Sequence, residues 1–233
     1  IDTVVPTPRW KTDPYRLTSC GDELHGLGAA DMKGGLAAQL TVLKCLRAEG
    51  KKLNAAIEFV GLADEERHSI GANAYVTKAK LAARDSREAV FLMGEPHYDN
   101  LVIGATGKAL LSLRVQGKEG HASTPERGVN AIDCMATLLC AMQKKYMPQY
   151  ERGERASYCC LQMVSDYAGY SLTIPAVCSA LINKQLLPTE SLEAFISELE
   201  TLYQSEVGKG SLTIQRETPS YPAYQLSPQQ KDV

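Results

Sequence analysis

Residues 108–116, KALLSLRVQ, alternate apolar and polar side chains, and that period of two is the mark of a strand. The pattern changes on its C-terminal side. Val129, Ile132, Ala136, Leu139 and Met142 recur at helical spacing across 129–146. Strand-like runs follow at 157–166 and 174–187. A second helix is predicted over about 190–206, with Leu192, Phe195, Ile196, Leu199 and Leu202 on one face, and 211–217 (SLTIQRE) alternate again. The order β-α-β-β-α-β is the ferredoxin-like split unit, which places a domain at 107–218. Residues 219–233, rich in Pro, Gln and Tyr, read as a linker.

On the N-terminal side the elements alternate differently. Leu36, Leu40, Leu43 and Leu46 line one face of a helix predicted over 33–49, and Gly50 stops it. Residues 55–63 (AAIEFVGLA) read as a strand, 70–83 as a helix and 88–94 as a buried strand. This succession predicts an α/β layer over 1–106 with a mostly parallel sheet. In such sheets the chemistry gathers at the carboxyl ends of strands. Asp64-Glu65-Glu66 follows the first predicted strand and Glu95 follows the second.

Composition bounds the function. With 44% apolar and 22% charged residues, the 233-residue chain is expected to fold as a globular protein. A net charge of −2 offers no basic excess for nucleic acid or an anionic membrane. No apolar run approaches the roughly 18 residues of a membrane span. The start, IDTVVP, lacks an initiator Met and the features of a signal peptide, and reads as a cut rather than a native terminus. Seven Cys with no C-x-x-C pair suit reduced thiols in a cytoplasmic protein, with Cys134 and Cys140 expected to be buried.

Three groups of residues can carry chemistry. The carboxylates of Asp2, Asp31, Glu65, Glu66 and Glu95 are hard oxygen donors suited to divalent ions. An adjacent acid pair is costly unless a cation neutralises it, although a solvated acidic loop is the alternative. Gly26–Gly35 (GLGAADMKGG) crowds small residues around Asp31 before a helix. It lacks the G-x-G-x-x-G of a dinucleotide loop, and Asp31 as a helix cap is the plain reading. His121 in GHASTP stands at a strand end, where a lone His is structural or catalytic.

Read together, IDTVVP, RWKTDPYRLT, LHGLGAADMKGGLAA, ADEE, MGEP and GHASTPERGVNAI resemble, in order and interval, a family of two-metal peptidases and amidohydrolases. That family includes acetylornithine deacetylases, succinyl-diaminopimelate desuccinylases, aminoacylases and carboxypeptidase G2. Within it Arg9-Trp10, Asp13-Pro14, Leu27 and Arg127–Ile132 look most like the acetylornithine deacetylases. The resemblance implies an α/β fold in which part of a zinc-exopeptidase-like catalytic domain (1–106) carries an inserted ferredoxin-like lid and dimerisation domain (107–218). It implies two zinc ions, with cobalt as a possible substitute, and hydrolysis of an N-acyl amino acid in arginine biosynthesis. Asp31 would bridge the ions, Glu66 and Glu95 would each ligate one, and Glu65 would be the general base. Asp2 would orient a metal-bound His, and His121 would reach the partner subunit's oxyanion in a homodimer. A cis peptide after Asp31 is implied as well.

The sequence also departs from that pattern. The two metal-binding His of relatives match none of His25, His68, His97 and His121. Leu172-Thr173 stand where relatives have an Asn ahead of Ile-Pro, and Asn183-Lys184-Gln185 replaces an Asp-x-Arg that helps relatives hold substrate carboxylates. Three functions stay open: a deacetylase, a desuccinylase or dipeptidase of the same family, or an inactive structural or regulatory relative.

Overall fold

In the computed structural model the alternating run forms β4 (Gly107–Gln116), with Ala109, Leu111, Leu113 and Val115 completely buried. The structure describes residues 2–50, 52–79, 90–95, 102–166 and 172–227. The chain forms two compact units, Ile1–Leu101 and Val102–Val233.

In the second unit β4 is followed by α3 (Ala131–Glu151), β5 (Tyr158–Ser165), β6 (Val177–Leu186), α4 (Leu192–Glu206) and β7 (Ser211–Tyr221). The four strands form an antiparallel sheet in the order β5-β6-β4-β7. This is the β-α-β-β-α-β unit read from the sequence. Both helices start on side-chain caps: Asn130 accepts from the N–H of Ile132, and Ser191 from that of Ala194. They pack their apolar faces, Met135, Leu138 and Met142 from α3 and Phe195, Leu199 and Tyr203 from α4, on one face of the sheet. Burial in β6 alternates strictly and ends Ile182, Lys184, Leu186, so a lysine occupies a core position.

The region read as a linker is partly structured. Residues 219–221 complete β7 after a cis Thr218-Pro219 peptide, and β8 (Tyr224–Gln225) pairs antiparallel with β3 (Gly104–Ala105). The N–H of Leu226 extends this ribbon by donating to the carbonyl of Ile103 at 2.8 Å. Chain entry to and exit from the unit therefore lie side by side. Strand propensity was low here, and the pairing partner lies more than a hundred residues away in sequence.

The first unit holds β1 (Thr18–Cys20), β2 (Glu23–His25), α1 (Gly34–Ala48) and α2 (Ile70–Lys78). The helix predictions hold where residues are described; 80–83 lie outside them. The strand predictions do not. Residues 55–63 and 90–94 are not assigned as strand, with Ile57 and Phe91 at 53% and 60% exposure, and 88 and 89 lie outside the described residues. The expected parallel sheet is thus absent among the described residues, whose one ladder in this unit is the β1–β2 hairpin. A strand exists only through its neighbours, and apolar composition supplies none. All seven cysteines are free; Cys134 is buried as expected, but Cys140 is exposed, on the outer face of α3. No helix among the described residues is long and apolar enough to cross a membrane.

Candidate active site

The first unit brings four short segments together. Gly28 takes φ +73°, and a Cβ there would meet Thr3 Cγ2 at 2.3 Å, so the turn before Asp31 lies against the segment that carries Asp2. Gly35, in the first turn of α1, approaches Gly94 so closely that a Cβ would sit 1.7 Å from its carbonyl oxygen. Gln39 donates to the carbonyl of Leu92 at 3.0 Å. These contacts seat the segment ending in Glu95 on the start of the Asp31 helix. The Asp31-Met32 peptide is cis, as the resemblance implied.

The fourth segment is the acidic loop. Asp2 accepts from the N–H of Glu65 through Oδ1 at 3.1 Å and from that of Glu66 through Oδ2 at 3.2 Å. Desolvation raises the Asp2 pKa, but the N–H groups of Glu65, Glu66 and Asp64 and the nearby N-terminal charge together outweigh it and hold the carboxyl below its ordinary range. Asp2 thereby fastens the loop bearing Glu65 and Glu66. No local pattern announces a contact across 63 positions. Asp64 was also missed as a participant, and its positive φ of 65° is unusual for a residue with a side chain.

Beside the Asp31 turn an open groove of about 650 Å³ is lined by Tyr15, Leu17, Leu24, Leu27, Ala30 and Lys33. Lys33 Nζ is tied to the carbonyl of Leu27 at 2.9 Å, so the groove presents an apolar wall rather than a charged anchor. Among the described residues no three His, Cys, Asp or Glu side chains stand together as a metal site. The oxygen-donor chemistry of Asp31, Glu66 and Glu95 suits divalent ions; a finished cluster is not assembled from the described side chains.

In the second unit His121 bridges to Thr173, and the neighbouring Ile174 N–H donates to the carbonyl of Gly120. Its Nδ1 accepts from the Ser123 N–H at 3.2 Å and lies 2.7 Å from the Ser123 hydroxyl. A ring nitrogen that accepts from an amide bears no proton, so this network assigns the proton of the neutral ring to Nε2. His121 is exposed and can donate outward from Nε2. Lys184 differs from its expected neighbourhood of substrate-binding residues. It is fully buried, donating to the carbonyl of Ala156 at 2.9 Å and to Glu190 at 2.8 Å. Asn183 and Gln185 are on the open face, where Gln185 Oε1 accepts from Thr106.

Residues 1–225 match Peptidase family M20/M25/M40. The chain belongs to this family. Acetylornithine deacetylase of Shigella sonnei is 31% identical over 230 residues, covering 94% of this chain and 57% of the relative. The same enzyme of Vibrio parahaemolyticus is 35% identical over 136 residues, covering 58% of this chain and 34% of the relative. This M20 chain therefore spans between about a third and somewhat over half of those relatives' lengths. Aminopeptidase PepT from Bacillus cereus has a TM-score of 0.61 at 20% identity, over 85% of this chain and 50% of that one. An M20 metallo-carboxypeptidase from Sulfolobus solfataricus has 0.59 at 16%, over 92% and 62%. These likenesses are of fold.

Proposed function

We propose that the protein is a metal-dependent amidohydrolase acting on the amide of an N-acyl amino acid, with N-acetylornithine as the leading substrate. The observation that carries this reading is the Asp2 clamp, which fixes adjacent Glu65 and Glu66 in one loop of the unit that also holds Asp31 and Glu95. In this reading 1–106 is part of a catalytic domain and 107–218 a lid.

Asp31, Glu66 and Glu95 would hold two divalent ions, zinc or cobalt. Bound ions supply a more acidic water and a polarised amide carbonyl. Glu65 takes the proton of the attacking water and returns it to the leaving amine. His121 Nε2–H donates to the oxygen on which charge develops in the partner subunit's site. The lid pairs with a second copy through a sheet edge. The edge strand β5 supports this: Tyr158–Ser165 contains no charged residue and exposes Leu161, Met163 and Val164. Lys118 and Glu119 follow the inner strand β4 and guard neither edge.

A non-catalytic role is the second reading, favoured by the missing three-residue metal cluster among the described residues. Zinc content and turnover separate the two. Residues 1–233 alone should hydrolyse N-acetylornithine poorly, whereas a chain carrying the family's two further imidazole positions should turn it over and lose activity to a chelator. Glu65→Gln should then keep its zinc and lose turnover. A zinc-free, inactive chain with both imidazoles present would establish the second reading.

A further inference from the structure

The loop that presents Glu65 and Glu66 is closed by residues in an unfavourable backbone conformation at both ends. Asp64 has φ 65° and Ser69 φ 55°, the two positive values recorded for residues other than glycine among those described. The Ser69 N–H donates to the Asp64 carbonyl at 2.6 Å, which ties the ends of the loop together. Ser69 occupies the N-cap position of α2, but its side chain makes no capping hydrogen bond. Asp64 fills that role from outside the helix. Its Oδ2 accepts from the N–H of Ile70, the first residue of α2, at 3.3 Å and from that of His68 at 3.2 Å. Between these contacts Asp2 takes the N–H groups of Glu65 and Glu66. Two carboxylates thus hold the segment Glu65–Ile70: Asp2 grips its front and Asp64 its back.

We infer that Asp64 is a positioning residue for Glu65 and Glu66: by accepting from His68 and Ile70 while tolerating the left-handed backbone, it fixes the direction in which the loop presents both side chains. The inference rests on the amidohydrolase reading for its catalytic consequence and on geometry alone for the fastening. Two properties of Asp64 are separable by substitution. Glycine adopts positive φ freely but offers no acceptor. Asparagine adopts the same conformation with little penalty and keeps an acceptor oxygen.

The test compares the wild-type chain with Asp64→Gly and Asp64→Asn, each checked for folding by circular dichroism. Amide hydrogen exchange of the metal-free protein should show slow exchange at Glu65, Glu66, His68 and Ile70. Asp64→Gly should lose protection at His68 and Ile70, and then at the two glutamates, while Asp64→Asn retains it. In the chain carrying both further imidazole positions, Asp64→Gly should lower kcat for N-acetylornithine by about tenfold or more at unchanged KM, since a misplacement of about an ångström costs that much or more. Asp64→Asn should restore kcat to within about twofold. Wild-type exchange and kcat in Asp64→Gly would overturn the inference, and so would an Asp64→Asn as impaired as Asp64→Gly. A wild-type protein with neither zinc nor turnover would overturn the proposed function instead, and the exchange experiment would still decide whether Asp64 holds the loop.

Discussion

The two units solve the problem of holding side chains in place by different means. The second buries Leu111, Leu113, Met135, Leu138, Phe195 and Leu199 completely and closes its sheet against two helices. The first has no buried residue among those described, and its helices α1 and α2 bury none. Yet the first carries nearly all the residues that could do chemistry. Its acidic loop is ordered by hydrogen bonds that its backbone N–H groups donate to Asp2 and Asp64, not by packing. Position in one unit follows from apolar area removed from water; in the other it follows from a few directional contacts that each tolerate little substitution.

The broadest way to break this contrast is to separate the units. Residues 102–227 alone should unfold in one cooperative transition, whereas 2–95 alone should show none by denaturant titration monitored by circular dichroism. The excised second unit should also sediment as a dimer at micromolar concentration; a monomer would remove the lid pairing from the proposed function. Matched truncations give the next largest effect. Leu138→Ala, at a fully buried site, should cost about 2–5 kcal/mol. Leu40→Ala, on a side chain 42% exposed, should cost under about 1 kcal/mol by the same denaturation measurement.

The smallest effect concerns the ion pair inside the second unit. Burial raises the Glu190 pKa, but donation from Leu187, from Lys184 and from Ala156 outweighs it and leaves the carboxyl below its ordinary 4.5. Folded Glu190 therefore binds a proton less readily than the unfolded chain does. Its stabilisation is complete above about 4.5 and is lost as pH falls through the depressed value. Lys184 is lowered by burial despite Glu190, so its charged form carries a cost that disappears only as pH rises toward 10.5. Melting of the second unit should fall on acidification below pH 4.5, and Glu190→Gln should flatten that acid limb while lowering stability at neutral pH, because Lys184 loses its counter-charge.

The same contrast explains what the sequence made legible. Every strand and helix of the second unit's sheet layer was readable, because a buried face imposes a period that local composition records. The buried Lys184 was readable too, as the next alternate position after Cys178, Ala180 and Ile182, but the motif around it drew attention to substrate binding instead. In the first unit 55–63 and 90–94 have the composition of strands but form none among the described residues. The carboxylates were recognisable by their motifs. The Asp2 and Asp64 contacts were not, since long-range and loop hydrogen bonds leave no periodic trace.

The β3–β8 ribbon has a consequence for how such a chain can be rearranged. Paired strands bring Gly104 opposite Gln225 and Ala105 opposite Tyr224, so the second unit's two ends stand about 5 Å apart. A module with adjoining ends can be cut out and its host rejoined by a short turn, or its own ends can be fused and new ones opened elsewhere. The 102–227 segment therefore has the ends of a transplantable module: a surface hairpin with matching strand spacing would receive it without stretching the recipient backbone.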